Sequence, residues 1–327
     1  MNRRQFSEKI VEAAFMGTAA VRNIFGSEKP DPVVAGSRSS KLVRVNDDVD
    51  AAAAREALDR GLIVVTGKST TVAAWKSLFR EDETVGIKLS CVPGIRLSTS
   101  RGLVAAICAG LQSAGVKAQR IVVWDRTRRE LDRAGFPVNR DGIRYRGTDE
   151  YPGWGYSDQV EVFRTIGSCF SLIVKEVDAL INVPVLKDHD ITGISGGMKN
   201  LYGAIHNPNK YHGNNGDPYI ADLNTHPIIR GKLRLTICDA SRVQIHHGPA
   251  FSGRWARDWG GVFLSRDPAA LDRVGWEIIE TLRSREKLPS LRDEDRQPRY
   301  IQSAAESGLG TADLAAIRLV GLKGVLE

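Results

Sequence analysis

Residues 178–222 read DALINVPVLKDHDITGISGGMKNLYGAIHNPNKYHGNNGDPYIAD, and this stretch decides how the chain is read. It opens on an apolar run, Ala179 to Leu186, and closes that run with Lys187, Asp188, His189 and Asp190. A short apolar run bounded by turn signals is the pattern of a strand buried in a sheet, so a core strand delivers charge to a surface. The glycine-rich turn that follows, Gly193, Gly196 and Gly197, leads into an expected helix carrying Lys199, Asn200 and Tyr202. Glycines before a helix let free N–H groups and the positive end of the dipole approach an anion. The fixed spacing of a P-loop or a dinucleotide fingerprint is absent.

From His206 to Asp217 the sequence is too polar and too rich in Asn, Gly and Pro for helix or strand. It predicts an exposed loop, either an ordinary solvated connection or a functional wall. The histidines favour the second. All six in the chain, His189, His206, His212, His226, His246 and His247, fall between positions 189 and 247.

Outward from this stretch the pattern alternates. KLVRV, from Lys41, reads as a first strand, and 48–65 and 71–79 have helical spacing, with LIVVTG open to strand as well. Strand 84–89, helix 101–114, strand 119–124 and helix 126–134 follow. A second series comprises helix 168–176, strand 179–185, helices 195–204 and 218–228, strands 232–238 and 261–265, helix 267–283 and a last strand near 316–321. Such alternation predicts an α/β fold over residues 40–327, a largely parallel or mixed central sheet with helices on both faces, pinched into two lobes near residue 165 if at all. The charged stretch Arg283 to Arg299 reads as a solvated excursion.

Ligands of open α/β sheets bind beyond the carboxyl ends of the strands. Four expected strands end in ionisable residues: Lys88 after VGI, Asp125 after IVVW, Lys187 after NVPVL and Asp239 after LTIC. If the strands are parallel, these converge on one rim beside the 206–217 loop. His189, Lys187, Asp125 and Asp239 are the candidate catalytic groups, since imidazole titrates nearest neutral pH and carboxylates can partner it. Lys88, Lys199, Asn200, Gly196, Gly197 and Tyr202 are the candidate ligand-binding groups. His189, His206, His212 and Asp217, with Asp222 as a further donor, offer the nitrogen and oxygen that zinc or iron accepts, at no fixed motif spacing. The plainer alternative is that polar strand ends cap the next segment. Asp267, before Pro268, reads in that way as an N-cap.

With 327 residues, 42% hydrophobic and 26% charged, the chain has the composition of one large or two modest globular domains. A formal charge of +7 suits an anionic ligand, but no basic block or aromatic ladder points to nucleic acid. Cys91, Cys108, Cys169 and Cys238 stand singly, without the spacing of a zinc ribbon or an iron–sulfur run. Cys91, at a strand end, is the one to weigh as ligand or nucleophile against simple burial. Residues 1–36 differ from the rest. Asn2-Arg3-Arg4-Gln5-Phe6 and the modestly apolar IVEAAFMGTAAV have the form of a twin-arginine leader, with Val33 and Ala35 at cleavage spacing. Glu12 and Arg22 interrupt it, which leaves a cytoplasmic amphipathic helix as the alternative. No apolar run reaches the roughly twenty residues of a membrane span.

NVPVLKDHDITGISGGMKNLYG resembles the signature of the domain of unknown function 362 family. HNPNKYH and DPYIADLN resemble a branch with twin-arginine leaders, and VGIKLSC, IVVWDR, LRLTICDA and DPAALDRVGWEII extend the likeness over roughly residues 40–320. The resemblance implies export by the twin-arginine machinery to the periplasm or beyond, or a cytoplasmic location if the leader is degenerate. It brings no assigned reaction. Three functions follow from the residues and the family together. One is an enzyme acting on a small anionic compound, with a divalent metal as an optional participant. Another is a carrier or maturation protein that binds a metal or cofactor without turnover. The third is a redox protein by analogy with ferredoxin-bearing relatives, although no flavin, haem or nicotinamide fingerprint is visible.

Overall fold

Three parallel strands form the centre of the sheet: β2 (Val85–Lys88), β3 (Ile121–Asp125) and β7 (Ala179–Asn182). In a computed structural model of the chain they are hydrogen-bonded side by side, Val85 opposite both Ile121 and Ala179. The structure describes residues 32–137, 139 and 141–322, which form one compact unit. β1 (Val33–Arg38), β4 (Arg144–Gly147), β10 (Leu233–Gln244), β12 (Gly261–Ser265) and β13 (Arg318–Val320) complete the order β13-β1-β12-β10-β7-β2-β3-β4, with the short β9 (Gly193–Ser195) and β11 (Ala256–Arg257) off this path. Only β12 runs against the others on this path, since it pairs antiparallel with both β1 and β10.

Alternation along each strand divides the core between the two faces. Ile121 and Val123 join Val85 and Ile87 beneath α1 (Ala51–Thr66), α2 (Thr71–Leu78) and α3 (Arg101–Ser113), with Leu131 of α4 (Arg128–Arg133) at the edge. Val122, Trp124 and Leu180 face the opposite layer. α5 (Leu172–Glu176), α6 (Gly197–Asn200), α7 (Tyr219–Thr225), α8 (Pro227–Arg230), α9 (Pro268–Arg285) and α10 (Tyr300–Glu306) follow in the chain, and the same core holds Met198 of α6, Leu223 of α7, Ile278 of α9 and Ile301 of α10. α1 starts where Asp50 accepts a hydrogen bond from Ala53 N and stops at Gly67, whose φ of 65° ends the helix, so LIVVTG belongs to a helix. Asp267 caps α9 through Ala270 N, a contact worth about 1 kcal/mol at such positions.

Several expectations need correction. KLVRV is not a strand: Ser40–Leu42 is a single 3₁₀ turn, and Arg44 turns inward. The first strand is instead β1, which takes up Val33 to Gly36 from the stretch read as leader and pairs them with β12 and β13. The rest of that leader, with Arg3 and Arg4, lies outside the described residues. At residue 165 there is no division of the unit. A small hairpin turns there, β5 (Glu161–Phe163) with β6 (Ile166–Ser168). The 283–299 stretch is more than solvated, because Arg283 is fully buried and Arg296 bonds to Asp188. No described helix is long and apolar enough to cross a membrane.

Candidate functional site

β2, β3 and β8 (Val185–His189) bring Lys88, Asp125 and Lys187 to one cavity of about 220 Å³. His189, Gly196, Lys199, Asn200, Tyr202 and His212 also line it. Alternation along β8 puts Lys187 and His189 on one face and Asp188 on the other, where Asp188 meets Arg296 at 2.8 Å and accepts from Gly248 N. Arg296 also donates to the carbonyl of His189, so the once-expected solvated excursion holds the end of the strand in place.

Lys88 is almost wholly buried and donates to Asp125 Oδ1 at 2.7 Å and to the carbonyl of Leu89 at 2.6 Å. Asp125 also accepts from Arg126 N on Oδ1 and from Cys91 N on Oδ2, each at 2.7 Å. Gly203 is required beside this pair. A Cβ there would stand 2.6 Å from Lys88 Cε.

Lys187 is 4% exposed and has softer partners, Ser90 Oγ at 3.0 Å and the carbonyl of Val185 at 3.4 Å. Burial pushes its ammonium down to about 8, helped by the charge on Lys88 and opposed by Asp125 and the cysteines. Lys199 keeps part of its surface exposed along the cavity. The packing around it and the Lys187 charge lower its pKa to about 7. Its Nζ lies 3.0 Å from His212 Nε2 and 4.6 Å from the centre of the Tyr202 ring. Among the described residues, neither Lys187 nor Lys199 forms an ion pair with a carboxylate, whereas Lys88 does.

The histidine tautomers follow from their partners. His189 Nδ1 accepts from Ile191 N and Thr192 N at 3.2 and 3.3 Å, so the proton of the neutral ring sits on Nε2. Burial, the neighbouring Lys199, the His212 ring, Lys187 and Arg296 hold its pKa down at about 2. His189 is therefore a neutral donor at ordinary pH. The His212 ring stacks on it at 5.4 Å and places Nδ1 3.3 Å from the carbonyl of Asn209, leaving Nε2 to accept from Lys199. Burial and Lys199 lower the pKa of His212 as well.

Other expected site residues stand elsewhere. Asp239 is fully buried away from the cavity lining and accepts from Arg44 Nη2 at 3.1 Å, Ser100 N at 2.8 Å and Ser241 N at 3.0 Å, which makes it a tie between β10, α3 and the turn before α1. Gly197 offers no free N–H to a ligand, because its amide and that of Met198 donate to Asp272 at 2.5 and 3.0 Å. The helix start already holds an anion from within the chain, and burial raises Asp272 to about 7 despite those bonds. A Cβ on Gly196 would meet the same carboxylate at 2.3 Å, so this glycine serves the cap as well as the lining. Asn200 is held by Asn182 Oδ1 at 2.8 Å.

The four-residue metal set does not assemble. His206 packs edge-on against Trp154 and Tyr156, 4.7 and 5.4 Å between ring centres, and is exposed. Asp217 accepts from Ser303 Oγ at 2.6 Å, and Asp222 from Thr165 Oγ1 at 2.7 Å. His189 Nδ1 is occupied by amides, and among the described residues no three His, Cys, Asp or Glu side chains are grouped to hold a metal ion. Cys91 is buried and its thiol pKa is driven up by burial and Asp125, the reverse of an activated nucleophile. Ser90, Ser195 and Arg126 line the cavity without having been singled out from sequence. Position just past a strand end was the available signal for Ser90 and Arg126.

The model of the Domain of unknown function (DUF362) family matches residues 85–277, which hold the three central strands and every cavity residue named above. The chain belongs to the DUF362 family. DUF362 thus covers β2 through the first half of α9, while β1 and β13 lie outside the matched span. No curated protein matches. Among solved structures, the lactate racemase apoprotein from Thermoanaerobacterium thermosaccharolyticum is similar at a TM-score of 0.43 and 14% identity, over 77% of this chain and 57% of that one. This DUF362 chain therefore spans little more than half of that protein's length.

Proposed function

We propose that the cavity binds a small anionic compound and that the protein is an enzyme acting on it. The observation that carries this reading is the presence of Lys187 and Lys199 in one cavity without a carboxylate partner among the described residues. Two ammonium groups so placed repel each other and are desolvated, a cost that a bound anion relieves. The volume of about 220 Å³ suits a compound smaller than the usual drug-sized ligand. In this reading Lys187 and Ser90 hold the anion, the His189 Nε2–H donates to it, and the Lys88–Asp125 pair fixes the floor. Asp125 is committed to the Lys88 ion pair and to two backbone amides, which leaves proton transfer to other groups. That task falls to Lys199 and His212, which share a hydrogen bond and have pKa values lowered toward or below neutrality. Calorimetric titration of purified protein with phosphate, acetate and pyruvate at pH 6.5 tests the site. At least one should bind, and Lys187→Met should weaken it at least tenfold; no binding by any of the three removes the reading.

We also infer export by the twin-arginine route to the periplasm or beyond, on the strength of Arg3-Arg4 and the apolar run behind them. Processing after Ala35 would remove half of β1. Any cleavage compatible with the folded sheet lies before Val33. Fractionation of cells producing the full chain tests this, and protein found only in the cytoplasm would oppose it.

A further inference from the structure

The three cavity lysines differ in what they touch. Lys88 is locked by Asp125 and a carbonyl, and Lys187 donates to a hydroxyl and approaches a carbonyl, partners that favour the charged ammonium. Lys199 alone has a base beside it, His212 Nε2 at 3.0 Å. That imidazole is itself oriented, by Asn209 O on its other nitrogen, by His189 stacked at 5.4 Å and by Tyr202 edge-on at 5.4 Å. A nucleophile within hydrogen-bond reach of a base, with a third group orienting the base, is the arrangement that activates covalent catalysts. All of these groups line or border a cavity that also holds the Lys187 ammonium.

We propose that Lys199 is a covalent nucleophile that forms an imine with the carbonyl carbon of a small 2-oxo acid, with His212 as its base and with Lys187 and Ser90 holding the substrate carboxylate. This inference rests on the anion site proposed above and names its substrate class. The neutral amine attacks the carbonyl carbon, forming the C–N bond. His212 Nε2 takes the proton shed by nitrogen and returns it to the former carbonyl oxygen, giving a carbinolamine. A second proton, from solvent, lets that oxygen leave as water while the nitrogen lone pair closes the C=N bond. Amine, carbonyl and one proton thus give an iminium and one water, with no change of oxidation state. The iminium then draws electrons from the neighbouring carbon, the usual purpose of a lysine imine.

The test is reductive trapping of the full chain with pyruvate or glyoxylate and sodium borohydride, which delivers hydride to the imine carbon and leaves a stable secondary amine. We expect a mass gain of one reduced oxo acid per chain, mapped by peptide sequencing to Lys199. It should be absent from Lys199→Met, protected by excess acetate, and slowed at least tenfold in His212→Asn. Calorimetry on the same preparations separates the two levels of the proposal. If acetate or pyruvate binds but no borohydride-dependent label reaches Lys199, the imine is wrong and the anion site stands. If neither binds nor labels, both fall. Unchanged labelling in His212→Asn overturns the role of the base, and far-UV circular dichroism of each variant establishes that loss of label is not loss of fold.

Discussion

Lys88 Nζ and Asp125 Oδ1 meet at 2.7 Å at the ends of two adjacent parallel strands, both side chains nearly sealed from solvent. Removing one partner of such a pair leaves the other charged and buried, which costs about 3–5 kcal/mol. Asp125→Asn should therefore lower the free energy of unfolding in urea by about that amount, and Lys88→Met likewise. A loss below about 1 kcal/mol would show the pair to be dispensable to the fold.

Lys187 should behave in the opposite way. Its folded pKa of about 8 lies below the ordinary 10.5, so the unfolded chain binds the extra proton between those values. Folding is opposed by the charged lysine below pH 8, and stability recovers as pH rises from about 8 to 10.5. Lys187→Met is expected to raise stability by about 1–3 kcal/mol at pH 6, with the advantage shrinking toward pH 10, while anion binding is weakened at least tenfold. Thermal unfolding across this range checks the sign. A variant less stable than wild type at pH 6 would mean that Lys187 is a structural residue.

Asp239 separates fold from site. With Arg44, Ser100 and Ser241 all on its carboxylate, Asp239→Ala should cost about 3–5 kcal/mol, yet anion affinity per folded molecule should stay within a factor of about two. A selective loss of binding in folded protein would restore Asp239 to the site.

For export, Arg3→Lys with Arg4→Lys should leave the full-length chain in the cytoplasm, and the wild type should reach the periplasm with any new N-terminus before Val33. N-terminal sequencing of the exported protein decides it. An end at Gly36 would mean that β1 is not needed in the mature fold.

What the sequence made legible was local. The strands ending in Lys88 and Asp125 announced themselves by apolar runs stopped by charge, and parallel pairing did the rest; the run before Lys187 is split instead, with β7 stopping at Asn182 and Lys187 lying inside β8, which pairs with β10. Asp239 ends such a run too, but its partner Arg44 is 195 positions away, and nothing near either residue reveals the pair. Gly196 and Gly197 similarly have the look of an anion-binding helix start until Asp272, 75 residues on, is found on the amides. β1 escaped notice because Val-Val-Ala-Gly-Ser-Arg is short and follows two prolines, so it reads as a spacer. It becomes a strand only because β12 and β13 flank it. The histidine cluster was informative in part. His189 and His212 stack at the cavity, while His206 turns to Trp154 on the outer surface.

The most direct test of the central claim is proton uptake on anion binding, measured by titrating acetate into the protein at pH 8 in two buffers of different ionisation enthalpy. Lys187, with a pKa near 8, is half deprotonated at that pH, and an anion held on it should raise that value. The expected result is uptake of up to roughly half a proton per bound anion, with affinity falling from pH 6.5 to pH 9 and uptake reduced in Lys187→Met. Binding with no proton uptake, or with uptake unchanged in Lys187→Met, would contradict the account.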